Sequence, residues 1–126
     1  MRSPSRLLGL LGLSALAWTF EGAVFATVAA AVHATVSPLG PWFSLGTGTL
    51  ATLIPSSPGY VGTFDYFAAQ GLAAYGAAPE VSVAFALTVH AVLWAPLTAA
   101  GLVFLVLRGT RFWAIKPAPT SALSKE

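Results

Sequence analysis

The sequence has no cysteine among its 126 residues, which removes disulfides, thiolate metal sites and cysteine nucleophiles together. Charge is nearly as scarce. Lysine, arginine, aspartate and glutamate make up 8% of the chain against 56% hydrophobic residues, far below the roughly 25% charged of an ordinary water-soluble domain. Between Arg6 and Arg108 there is no lysine or arginine, and the acidic residues there are Glu21, Asp65 and Glu80. A nucleic-acid-binding face needs clustered basic side chains with interleaved aromatics, so no nucleic-acid partner is expected. His33 and His90 are isolated from each other, with no His-Glu-x-x-His spacing, and no Gly-x-Ser-x-Gly elbow surrounds a serine. Metal and nucleophilic catalysis therefore lack a signature, and no cofactor is expected.

What the chain does have is long apolar sequence. Leu7 to Val36, interrupted by Glu21 and His33, and Val81 to Leu107, carrying His90 and Pro96, each exceed the roughly 20 residues a helix needs to cross a hydrocarbon core. Both are read as spans, at about 7–36 and 81–107. Arg2, Arg6, the apolar Leu7 to Leu13 and the triplet Ala15-Leu16-Ala17 imitate a cleavable signal peptide, but the apolar pattern runs straight on to Val36, as in a tilted membrane helix. Ser37-Pro38-Leu39-Gly40-Pro41 then breaks the first span, because proline lacks an amide donor and turns its predecessor away from helix.

Between the spans, Trp42 to Ile54 and Tyr60 to Tyr75 are short for a crossing, and Pro55-Ser56-Ser57-Pro58-Gly59 separates them. They are expected as re-entrant or short helices at about 42–54 and 60–75. Basic residues at both chain ends place both termini in the cytoplasm and require an even number of crossings. Two spans with a re-entrant hairpin entering from the external side satisfy this, as do four crossings of which two are short. From Lys116 the chain is rich in proline, serine and threonine and is read as a disordered cytoplasmic tail over 116–126. The expected transmembrane domain is thus 1–115, and the fold class is an all-α, polytopic transmembrane helical bundle.

The segment Ile54 to Asp65 is the richest in chemistry. Ser56 and Ser57 are capping residues by type and Pro58 suits a first helical position, so a helix is predicted to start there. Free amides and the positive dipole end at such a start favour a phosphate or carboxylate, and Gly59 and Gly62 would let it approach the backbone. The plain alternative is a proline-glycine turn whose glycines serve helix packing. Glu21 lies within the first span on the face of Trp18, where a carboxylate must be paired, protonated or open to water. It is either a proton-coupling or headgroup-binding group, or a neutral interhelical contact. Asp65 suits the dipole of a helix start while competing with an anionic ligand. His90, one turn before Trp94, is a proton relay or phosphate contact, or a core histidine bonded to a carbonyl. His33 is placed at the membrane interface.

Pro55-Ser56-Ser57-Pro58-Gly59-Tyr60-Val61-Gly62-Thr63-Phe64-Asp65, followed by Gly71 to Gly76, Ala78-Pro79-Glu80, His90, Pro96 and Gly101, resembles the C-terminal half of the flippase-like transmembrane domain of lysylphosphatidylglycerol synthases and their stand-alone relatives. Trp18 and Glu21 match the tryptophan and glutamate of the preceding helix in that family. The resemblance runs from about Leu7 to Leu107. It implies a multi-pass protein of a bacterial or archaeal plasma membrane that binds or translocates phospholipids or polyprenyl-phosphate-linked lipids, with the proline-glycine motif in a re-entrant segment.

Glu21, Ser56, Ser57, Gly59, Gly62, Asp65 and His90 form the candidate lipid-binding set. The family commonly has glutamate where Asp65 stands and often arginine where His90 stands; aspartate keeps the charge, whereas histidine is not a permanent cation. The aminoacyl-transferring domain of some relatives has no counterpart here, so no enzyme activity is expected. Full members resemble a chain more than twice as long, and the implied partners are membrane lipid together with a second copy or a separate N-terminal-half chain. The rival expectations are a non-transporting membrane scaffold or interaction subunit, an inactive half-length fragment, and an intramembrane enzyme acting on a lipid phosphate.

Overall fold

A computed structural model describes residues 4–108. Its helices are α1 (Pro4–Ala31), α2 (Leu39–Ala51), α3 (Thr63–Ala73) and α4 (Pro79–Arg108), with a single 3-10 turn at Pro58–Tyr60. Arg2, Arg111, Lys116 and the tail expected at 116–126 lie outside the described residues. The chain divides into two units, one ending at Leu93 and the other beginning at Trp94.

Helix length separates the elements into two kinds. α1 has 28 residues and α4 has 30. At 1.5 Å per residue they are about 42 and 45 Å long, more than the hydrocarbon core of about 30 Å. Both are apolar enough to cross it. α2 has 13 residues and α3 has 11, giving about 20 and 16 Å, too short to cross.

The ends of these helices follow from local chemistry. α1 stops at Ala31, five residues before Val36, where the apolar run ends. His33 takes a left-handed φ of 55°, its N–H bonds to Ala30 O at 3.0 Å, and the Ala34 N–H bonds to Ala29 O at 2.9 Å. This paired closure satisfies the last carbonyls of the helix. Apolar character continues past it because hydropathy does not register a change of backbone hand. Pro41 sits in the first turn of α2 and Pro79 opens α4, both at positions where no intrahelical N–H bond is lost.

In the first unit α2 and α3 form a tight antiparallel hairpin. A side chain on Gly71 would overlap the Thr47 hydroxyl and come within 2.7 Å of Ser44 Cα, so the absence of one lets the two backbones close. Gly48 does the same beneath Phe64. Ser44 Oγ then donates to Ala68 O at 2.6 Å, and Thr47 Oγ1 to Phe67 O at 3.0 Å.

Against this hairpin pack the C-terminal third of α1, through Gly22, Phe25, Val28 and Ala29, and the start of α4, through Ser82, Phe85, Ala86 and Val89. Spacings of three and four keep each set on one helical face. Phe25 stands edge-on to Phe64 at 6.4 Å and to Phe85 at 5.8 Å between ring centroids, which joins three helices in one aromatic cluster. From Pro4 to Phe20, by contrast, α1 buries nothing. In the second unit every described residue except Thr98 is exposed, and the Arg108 guanidinium lies over the Phe104 ring at 5.2 Å.

Candidate functional site

The connection from α2 to α3 is open from Leu53 to Gly62. Ser57 has the extended backbone of a capping residue, yet its hydroxyl donates forward to Val61 O at 2.7 Å and caps no helix. The turn at Pro58 lasts three residues because Gly59 (φ 73°) and Tyr60 (φ 57°) are left-handed. An α-helix cannot continue through two such residues, and Tyr60 bears a cost of about 1–2 kcal/mol there.

The α-helix instead begins at Thr63, after Gly62 with φ 89°, a value that favours glycine. The helix start expected at Pro58 is thereby corrected to Thr63. Ser56 and Ser57 belong to the loop ahead of it.

Asp65 ties this start together. Its Oδ2 accepts the Gly62 N–H at 2.8 Å, the reach from the third helical position back to the cap that quiets one orphan donor. Its Oδ1 lies 2.7 Å from His90 Nδ1 on α4. One proton joins the two atoms, and Nδ1 is the donor whenever the carboxylate is ionised. The side chains are 12% and 16% exposed for Asp65 and His90 respectively, and Phe64 stands edge-on to the imidazole at 5.3 Å, screening it on that side. A side-chain hydrogen bond this short and this well screened is among the stronger polar contacts available to a protein.

Of the residues singled out from sequence, the structure joins Gly62, Asp65 and His90 in one bonded cluster. Ser56, Ser57 and Gly59 lie exposed on the adjoining loop, with no hydrogen bond to that pair among the described residues. Glu21 is half-buried on α1, four residues before Phe25 and so on the same face one turn nearer the N-terminus. Among the described residues it makes no hydrogen bond or ion pair. Trp18 is exposed, and His33 is spent on closing α1.

Residues that sequence reasoning passed over are Ser44, Thr47 and Ser82, and Gly71 entered it only as part of the family resemblance. The buried Gly40, Ser44 and Gly48 recur at intervals of four, a signal of close helix packing that was open to reading. Ser82 is buried with its hydroxyl unpartnered among the described residues, and nothing in the sequence marks it.

Two long apolar helices, a hairpin closed by small residues and hydroxyl-to-carbonyl bonds, and an aspartate–histidine hydrogen bond at its loop end define an all-α, membrane-embedded helical protein. The family model described as lysylphosphatidylglycerol synthase TM region matches residues 1–101, and the chain belongs to that family. It is accordingly a membrane protein related to lipid handling. No curated protein and no solved structure matches the chain.

Proposed function

We propose that this protein binds and translocates an anionic membrane lipid, a phospholipid or a polyprenyl-phosphate-linked lipid, at the tip of a re-entrant hairpin. The observation that carries this reading is an exposed proline-glycine-serine loop at the end of two helices too short to cross, packed beside the long helix α1. With α1 across the bilayer, the Pro55 to Gly62 loop sits at membrane depth. Hydrocarbon gives its backbone no partners, so a watered recess or a lipid headgroup must. The hydroxyl of Ser56, that of Ser57 once it turns from Val61 O, and the backbone around Gly59 contact the phosphate, Gly62 leaves room for its approach, and Glu21 and His90 line the polar path. Asp65 shapes the helix start behind them, and phosphate meets the loop ahead of it. No bond in the lipid is made or broken.

In this proposal the host is a bacterial or archaeal plasma membrane, both termini are cytoplasmic and the hairpin enters from the external side. Single cysteines at Ser57 and Ala78 should then react with an impermeant thiol reagent in intact cells, while one at Ser121 should not. Labelling at Ser121 without labelling at Ser3 would mean an odd number of crossings and end the re-entrant reading.

A second reading, a scaffold subunit, is favoured by the bare surface of α1 from Pro4 to Phe20, which is free to receive helices of a second copy or a separate chain. Vesicles carrying a headgroup-labelled phospholipid separate the two. A translocator should slow about tenfold or more in Glu21→Gln and Ser57→Ala, the loss expected for a hydrogen bond to a charged group. Equal rates in wild type, variants and empty vesicles would leave the scaffold.

A further inference from the structure

We infer that the Asp65–His90 contact is a latch: the α2–α3 hairpin is one rigid body, and this bond fixes its position against α4. The inference concerns mechanics and holds whichever ligand the loop receives. Three side-chain hydrogen bonds among the described residues join positions far apart in sequence. Ser44 to Ala68 and Thr47 to Phe67 lie inside the hairpin, where Gly71 and Gly48 also lock the backbones together. Asp65 to His90 is the one that leaves it.

Every other hairpin contact that the core describes is apolar, through Phe64, Ala68, Ala69 and Leu72 against Phe25, Phe85 and Val89. In a bilayer such contacts are weakly specific, because lipid tails replace them at little cost. A short side-chain hydrogen bond is directional and has no equivalent in hydrocarbon. The hairpin's register on α4 therefore rests on His90.

The same carboxylate holds the Gly62 N–H, directly behind the left-handed Gly59 and Tyr60, so the latch also anchors the loop. Releasing it lets the hairpin swing as a unit and carries the Ser56–Gly62 loop with it. Asp65 and His90 act here as positioning residues.

The cysteine-free chain permits a direct test in lipid nanodiscs by pairs of spin labels. Gln70→Cys with Leu87→Cys reports the hairpin against α4, and Leu50→Cys with Gln70→Cys reports the hairpin alone. His90→Phe keeps a ring for Phe64 to meet and removes the donor. The expected result is a second Gln70–Leu87 distance in roughly 10% or more of molecules, the upper range for a minor conformer. The Leu50–Gln70 distance should not change, and His90→Asn, with an amide nitrogen near the place of Nδ1, should restore the single distance.

An unchanged Gln70–Leu87 distance in His90→Phe overturns the latch. So does joint broadening of both pairs, or failure of His90→Asn to restore. If His90→Phe does not fold, Asp65→Asn gives the same reading with a weakened bond, and collapse of that variant as well makes the pair a plain core contact and also overturns the inference.

Discussion

One helix, α1, presents two surfaces that teach different things. From Gly22 to Ala31 it packs through Gly22, Phe25, Val28 and Ala29, two of them among the smallest residues of the helix. From Pro4 to Phe20 it carries Leu7, Leu8, Leu10, Leu11, Leu13 and Leu16, each more than half exposed. In water that order would be reversed, since bulky aliphatic side chains drive burial there. Lipid tails are as apolar as leucine, so a leucine gains little by leaving them. Close approach by small residues, interlocking rings and satisfied hydroxyls decide which surfaces meet instead. Hydropathy locates these helices, whereas side-chain size and hydrogen bonding locate their contacts.

Four substitutions would break or sharpen that contrast. Gly71→Val should be the most damaging, because beyond the Thr47 hydroxyl its side chain meets Ser44 backbone, which cannot step aside as a side-chain tip can. A loss of about 3 kcal/mol or more is expected, read as disappearance of the monodisperse species in size exclusion. Phe25→Ala removes the ring shared by Phe64 and Phe85 and should cost about 3 kcal/mol, the low end for such a cavity because lipid does not reward burial; thermal unfolding in detergent measures it.

Ser44→Ala leaves the Ala68 carbonyl with its helical bond alone and should cost about 0.6–1 kcal/mol on the same scale. Leu11→Ala, on the bare half, should stay within about 0.5 kcal/mol. A cost for Leu11→Ala equal to that for Phe25→Ala would mean that this surface is covered in the membrane by another protein.

The all-helical, membrane-embedded class was legible in the two long apolar runs, and the family in the residues around Pro55 to Asp65. The start of α3 was not. Ser57 followed by Pro58 reads locally as a cap and a first helical residue, but Gly59 and Tyr60 turn left-handed and the hydroxyl of Ser57 bonds forward to Val61 O. Propensity names what a residue is able to do, and the loop's closure chose among those options. Asp65 was legible as a helix-start carboxylate and His90 as a polar residue in a span. Their pairing was not, because it joins positions 25 apart through an antiparallel return that no local pattern encodes. Spacing put Glu21 on the face of Trp18; in the structure Trp18 is exposed and Glu21 half-buried, one turn before the buried Phe25. The α2–α3 interlock was open to reading from the four-residue rhythm of Gly40, Ser44 and Gly48.

The seat of Trp42 on α1 reaches into how this sequence can vary. Any side chain at Gly22 would occupy space that the indole of Trp42 already fills. Alanine at 22 makes the half-exposed ring move aside, and a small residue at 42 bares the glycine. The two sites are therefore expected to drift together across descendants of this chain, a larger residue at 22 arriving with a smaller one at 42, as an inherited pair and not as independent letters.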